Sequence, residues 1–140
     1  MTQQEGEGRP RSPFSEQSLQ VITMAQKEAR DLRHGHVGTG HIFLALMQNE
    51  DVRKIMEKLD LKQDLLLARS TLKNLYGSHH SKKEPQITAR LGTVIQYATR
   101  EARKEGASEI TPLHIWRGLL LSGEGEMEVM VEALKTERSE

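Results

Sequence analysis

Residues 25–30 read Ala25-Gln26-Lys27-Glu28-Ala29-Arg30, and residues 98–103 answer them as Ala98-Thr99-Arg100-Glu101-Ala102-Arg103. The same offset of 73 carries Phe14-Ser15 onto Ile87-Thr88, Ile22 onto Ile95, His41-Ile42 onto His114-Ile115 and Leu46 onto Leu119. A chain that repeats itself at a fixed period builds one structural unit twice. A residue kept in both copies belongs first to the architecture of the unit and only then to any chemistry.

Working outward, Leu19, Ile22, Ala25, Ala29 and Leu32 recur at helical spacing, the apolar stripe of an amphipathic helix. Ser15 precedes it as N-cap. His34-Gly35-His36 is its expected end, with the glycine taking the left-handed conformation. Thr39 is the expected cap of a second short helix, apolar on most faces through Ile42, Phe43, Leu44, Leu46 and Met47. Val52, Ile55, Met56 and Leu59 predict a third helix; Leu61, Leu65, Leu66, Ala68, Leu72 and Leu75 predict a fourth, ending near Tyr76-Gly77. In the second unit Thr88 caps a helix carrying Leu91, Val94, Ile95, Ala98 and Ala102, closed by Gly106. Thr111-Pro112 is a strong helix start, and Ile115, Trp116, Leu119 and Leu120 follow. After Ser122-Gly123-Glu124-Gly125, Met127 to Leu134 suggest one more helix. No segment sustains a period of two, so the chain is read as all-α, with four helices in the first unit and three in the second. The expected division is a flexible tail over 1–13, unit one over 14–76, a polar linker over 77–86, unit two over 87–134 and a charged tail over 135–140.

Composition narrows the function. Lys+Arg and Asp+Glu both number 20, so the formal net charge is zero. That weighs against a nucleic-acid partner, which calls for a basic stripe, and against a polybasic membrane-surface binder. No apolar run approaches the roughly 20 residues that span a bilayer, so no membrane partner is expected. The absence of cysteine rules out disulfides and Cys-based metal or redox sites and suits a reducing compartment; the expected localisation is cytoplasmic. The sequence holds no P-loop, nucleophile elbow, HExxH or glycine-rich dinucleotide turn. No cofactor is expected, and the chain is read as not an enzyme.

His34, His36 and His41 fall within eight residues, and imidazoles are common metal ligands. They lie at a predicted turn, no Asp, Glu or Cys stands near at ligand spacing, and the second unit keeps only His114. No metal site is therefore expected. His41 and His114 are read as equivalent packing residues, each ring bonded to a backbone group of the preceding helix. Glu28 with Arg30 and Glu101 with Arg103 are read as exposed charge or salt bridges within a unit. Trp116, the only tryptophan, is read as core packing that would also serve as an anchor for a partner.

The stretch FSEQSLQVITMAQKEARDLRHGHVGTGHIFLAL from Phe14 to Leu46, followed by VRKIMEKLDLKQDLL, resembles the Clp N-terminal repeat found at the front of ClpC- and ClpA-type AAA+ unfoldases. Ala25-Gln26-Lys27-Glu28-Ala29 and His36-Val37-Gly38-Thr39-Gly40-His41-Ile42 follow the family pattern closely, and Ile110-Thr111-Pro112-Leu113-His114-Ile115 follows it more loosely. The resemblance covers about 120 of the 140 residues. It implies a pseudo-twofold tandem repeat of two four-helix motifs, the second lacking its last helix, and a role in docking adaptors or unfolded client proteins for an ATP-driven Clp unfoldase. A Clp ATPase, an adaptor or a client is thus the expected partner, and a homodimer could cover apolar surface that the missing helix leaves. The polar N-terminal tail and divergent motifs favour a stand-alone protein over an excised N-domain.

In the ClpC branch the resemblance also implies a phosphoarginine pocket, built once per repeat from a hydroxyl at the start of the first helix and the Glu of Gly-Thr-Glu-His. Here the hydroxyls are Ser15 and Thr88, but Gly40 and Leu113 stand at the acidic positions. Neither can pair with a guanidinium as a carboxylate does, so this ligand is not expected. Ser15, Gly40, Thr88 and Leu113, with Trp116, are the candidate binding residues, on a groove between the two units. The readings from other classes are a small His-rich metal-binding or enzymatic helical protein and a helical DNA-binding protein. Against the latter, residues Thr39 to Asn49 contain no Lys or Arg.

Overall fold

A computed structural model describes residues 13–76, 81–122 and 125–135. Most of the expected tail over 1–13, linker residues 77–80, Gly123-Glu124 and residues 136–140 lie outside the described residues. Seven helices are described: α1 Glu16–Asp31, α2 Thr39–Leu46, α3 Glu50–Lys58, α4 Leu65–Leu75, α5 Ala89–Glu105, α6 Pro112–Ser122 and α7 Glu126–Leu134. The all-α reading holds, with one addition. The two-residue strands β1 His36–Val37 and β2 Gln86–Ile87 pair in parallel, His36 with Gln86 and Val37 with Ile87. Two residues are too few to leave a period-two signal.

That pairing ties the units together. The Thr88 N–H donates to the Val37 carbonyl at 3.1 Å, and the Ser15 N–H donates to the Ile110 carbonyl at 3.0 Å. Phe14 forms a parallel bridge with Ile110. Under the 73-residue offset Phe14 answers to Ile87 and Val37 to Ile110, so the two contacts are counterparts. Each unit's entry segment takes its backbone partners from the other unit. Residues assigned by composition to the linker are part of this seam: the Ser81 N–H donates to the Arg33 carbonyl at 2.8 Å, and Gln86 lies in β2.

Helix α2 is the hub of the fold. All eight of its residues are buried, as an apolar helix without a polar face requires, and it touches α1, α4, α5, α6 and α7. Phe43 on α2 stacks on Trp116 on α6 with ring centroids 6.0 Å apart. These two residues are also counterparts at the 73-residue offset, so the aromatic pair sits where the two units face each other. Trp116 is 4% exposed. It is a core residue and offers no surface anchor. Helices α5 and α6 approach closely at Gly118, where a Cβ would lie 2.5 Å from the Val94 carbonyl oxygen and 2.9 Å from the Ala98 nitrogen.

The caps follow the sequence in part. Ser15, Thr88, Asn49 and Asp64 accept from the backbone N–H three residues on. Thr39 is not a cap but the first residue of α2. The left-handed residue after α1 is Arg33 (φ 62°), not Gly35. The Arg33 N–H donates to the Arg30 carbonyl and the His34 N–H to the Ala29 carbonyl, the two bonds of a Schellman ending. At the counterpart position in unit two stands Gly106 (φ 72°). Gly35 is needed for space instead: a Cβ there would meet Ser81 Oγ at 2.8 Å.

Glu28 also departs from expectation. It is buried rather than solvated, and Arg69 on α4 reaches it with two hydrogen bonds of 2.9 and 2.7 Å while Gln48 donates a third at 3.0 Å. A buried carboxylate is tolerated only when paired and bonded in this way. The clamp fastens α4 to α1.

Two substitutions test this account by urea unfolding. Arg33→Gly removes left-handed strain that only glycine escapes and should raise stability by about 1 kcal/mol. Gly118→Ala should lower it by about 2 kcal/mol, since backbone atoms on α5 cannot yield as a side chain would. An unchanged midpoint in both variants would contradict the backbone assignments.

Candidate functional site

Three histidines from the α1–α2 connection and α2 form one cluster. The Gly38 N–H donates to His41 Nδ1 at 3.0 Å, so this histidine at the third position of α2 caps its own helix, not the preceding one. Because Nδ1 accepts, Nε2 of the neutral ring carries the proton and donates to His34 Nδ1 at 2.8 Å. His34 stacks against His36 with centroids 5.7 Å apart and planes 11° apart. Tyr76 closes the group, its ring 4.8 Å from His34 and 4.7 Å from His36. Burial, and after it the neighbouring His36 and His34, push the His41 pKa down to about 3. His41 is therefore neutral throughout the physiological range.

A carboxylate reaches this cluster from the far end of the chain. Glu126, first residue of α7, accepts from the Gly40 N–H at 2.6 Å, a favourable place for negative charge at a helix N-terminus. Its other oxygen lies 3.5 Å from His36 Nε2. Glu126 and Leu72 occupy the space that a side chain at residue 40 would need: a Cβ there would lie 2.5 Å from Leu72 Cδ1 and 2.7 Å from Glu126 Oε1. The position where the family pattern carries Glu is thus glycine, yet a carboxylate stands beside it. This corrects the expectation that no acidic group lies near the histidines. His36, His41 and Glu126 each offer a ligand atom, all within 4.8 Å of one another.

The cluster opens onto a pocket of about 410 Å³ lined by Gly38, Thr39 and Tyr76 of unit one and Thr88, Arg90 and Glu126 of unit two. The crossed entry segments explain this composition: pairing Thr88 with Val37 lays the start of α5 beside the start of α2. Thr88 therefore faces the Gly-Thr-Gly-His turn of the other repeat, not that of its own.

Unit two repeats the cap and changes what lies behind it. The Thr111 N–H donates to His114 Nδ1 at 2.9 Å, and His114 Nε2 donates to Glu105 at 2.8 Å. Arg117 bonds the second oxygen of Glu105. The Arg117 guanidinium, and then the His114 ring, hold the Glu105 carboxyl below its usual range. The same capping histidine faces another imidazole in unit one and a carboxylate in unit two.

The expected binding residues separate accordingly. Thr88 lines the pocket and Gly40 lies at its back, buried under Glu126 and Leu72. Ser15 is buried in the opposite seam, bonded to Ser18. Leu113 is half-buried against the core. Sequence reasoning missed Glu126, Tyr76 and Arg90. The only local signal was the break at Ser122-Gly123-Glu124-Gly125, which starts a helix on an acidic residue.

With this geometry in hand, the chain is placed among known proteins. It matches the Clp repeat (R) N-terminal domain family over residues 13–134 and belongs to that family. The negative regulator of genetic competence ClpC/MecB of Bacillus subtilis is 32% identical over 115 residues, covering 80% of this chain and 14% of that protein. The chain therefore spans about a seventh of the length of this relative. The N-terminal domain of Arabidopsis thaliana ClpD superposes with a TM-score of 0.67 at 20% identity, covering 87% of each chain. The ClpV N-domain, solved in complex with a VipB peptide, superposes at 0.68 with 16% identity, covering 91% of this chain and 87% of that one. At these identities the two structures share the fold. Among the described residues no helix is long and apolar enough to cross a membrane.

The depressed His41 pKa has a pH consequence. The unfolded chain takes up a proton near pH 6.5 that the folded chain refuses until about pH 3. Stability from this group is full above pH 6.5 and is lost as pH falls toward 3, with a limiting slope of about 1.4 kcal/mol per pH unit. Urea midpoints should fall between pH 6.5 and 5 in the wild type and fall less in His41→Asn. Parallel profiles for the two proteins would refute the assignment.

Proposed function

We propose that this domain is a non-catalytic protein-binding module that docks adaptor or client proteins for a Clp-type unfoldase, or modulates such an unfoldase and its peptidase. The observation that carries the reading is the pocket of about 410 Å³ assembled jointly by the two units on a chain of this family. A pocket between repeats is a concave surface whose walls are held by the starts of α2, α5 and α7, the kind of site a peptide or side chain enters. The ClpV relative was solved with a peptide, which supports the same use here. The sequence carries no nucleotide-binding motif, which supports a binding role over a catalytic one. The cysteine-free composition supports a cytoplasmic setting, and the balanced charge supports a protein rather than a nucleic-acid partner. Leu120 and Leu121 on α6, 54% and 56% exposed, support a second copy of the chain as a further partner.

The purified chain should not hydrolyse ATP. As bait it should recover a Clp ATPase, an adaptor or misfolded clients, and Arg90→Glu at the pocket wall should reduce that recovery by about tenfold with the far-ultraviolet circular dichroism unchanged. Recovery of none of these, or recovery unaffected by Arg90→Glu, would count against docking at this pocket.

A further inference from the structure

We propose that His36, Glu126 and His41 form a binding site for a divalent transition-metal ion of the zinc class. The inference does not rest on the docking reading. It starts from an orphaned atom: His36 Nε2 is buried and has no hydrogen-bond partner among the described residues. Buried polar nitrogens are almost always partnered, and a neutral imidazole with its proton on Nδ1 presents a lone pair at Nε2. That lone pair lies 3.5 Å from a carboxylate oxygen of Glu126. Two ligands about 2.1 Å from one tetrahedral ion stand about 3.4 Å apart, so the pair is spaced for a shared ion rather than for a direct hydrogen bond.

The surroundings suit an ion. The Gly40 N–H fixes one Glu126 oxygen at 2.6 Å, an outer bond of the kind that orients a metal ligand. Gly38 and Gly40 keep the space clear, since a Cβ on either would come within 3.3 Å of Glu126 Oε1. The adjoining pocket of about 410 Å³, lined by His36 and Glu126, admits the ion and the water that completes its coordination. An imidazole and carboxylate set without thiolate suits zinc, cobalt, nickel or copper better than calcium or magnesium. Both His41 nitrogens are already in use, so its entry into the coordination shell costs one hydrogen bond and weakens the site roughly fivefold. The histidine pair has no counterpart in unit two: the residues answering to His34 and His36 are Ala107 and Glu109.

The test is calorimetric titration of the untagged full chain with Zn2+, with Co2+ absorption as a second readout. The expected result is one equivalent of Zn2+ bound at sub-millimolar concentration, and visible bands of low-coordinate Co2+. His36→Ala and Glu126→Gln should each weaken binding by about tenfold or more, whereas a His79→Ala, His80→Ala double variant should leave it unchanged. Zn2+ should raise the unfolding temperature of the wild type and not that of His36→Ala. Absence of Zn2+ binding, binding that survives both site variants, or binding lost with His79 and His80 would overturn the proposal. Recovery of protein partners in the presence of a chelator reports on docking separately, so either idea can fail without the other.

Discussion

The fold depends on an exchange of backbone partners. Extended residues just before a helix carry N–H and C=O groups that must be satisfied once they are buried. Before α1 and α5 those groups are answered by the other unit, Ser15 by Ile110 and Thr88 by Val37. Neither unit is complete alone, and the exchange sets how the two face each other. Stacking of Phe43 on Trp116 and the burial of α2 on every side follow from that arrangement. The pocket follows as well, because the exchange is what brings Thr88 to the mouth of α2.

The two stretches related by the 73-residue offset share one device, a histidine that accepts the N–H three residues before it at the start of the second helix. Accepting with Nδ1 obliges the ring to donate with Nε2, and the recipient decides the electrostatics. In unit two the recipient is Glu105, which Arg117 also neutralises, giving a closed ion-paired group. In unit one it is His34, and the chain of rings continues to His36 and outward to a pocket. The shared cap recurs in both stretches, and what lies behind it in the first leads to the candidate site.

What the sequence made legible was local. The caps at Ser15 and Thr88, the proline start of α6 and the left-handed Gly106 all involve residues within three or four positions of each other, and helical periodicity operates over the same range. What it hid involved distant residues. Nothing around Glu28 announces Arg69, 41 residues away, so a charge on an amphipathic helix reads as solvated when it is buried. Gly118 looks like an ordinary helix glycine until the carbonyl of Val94 is set against it. Arg33 takes a left-handed conformation that glycine adopts more readily, while Gly35 stands where an added Cβ would meet Ser81 Oγ at 2.8 Å.

Gly40 shows why reading a family pattern position by position can mislead. Against the pattern that the resemblance implies, residue 40 lacks a carboxylate. In space one stands beside it: Glu126 arrives from α7 and accepts from the Gly40 N–H itself. The two arrangements exclude each other, since even a Cβ on residue 40 would press into Glu126 and Leu72. Glycine at 40 is thus the condition for bringing α7 against the start of α2. The consequence is chemical as well as steric. A carboxylate carried on residue 40 is anchored to the helix it caps, whereas Glu126 comes from a separate helix and places its free oxygen beside His36. Glycine at residue 40 leaves the room in which Glu126 meets the histidines.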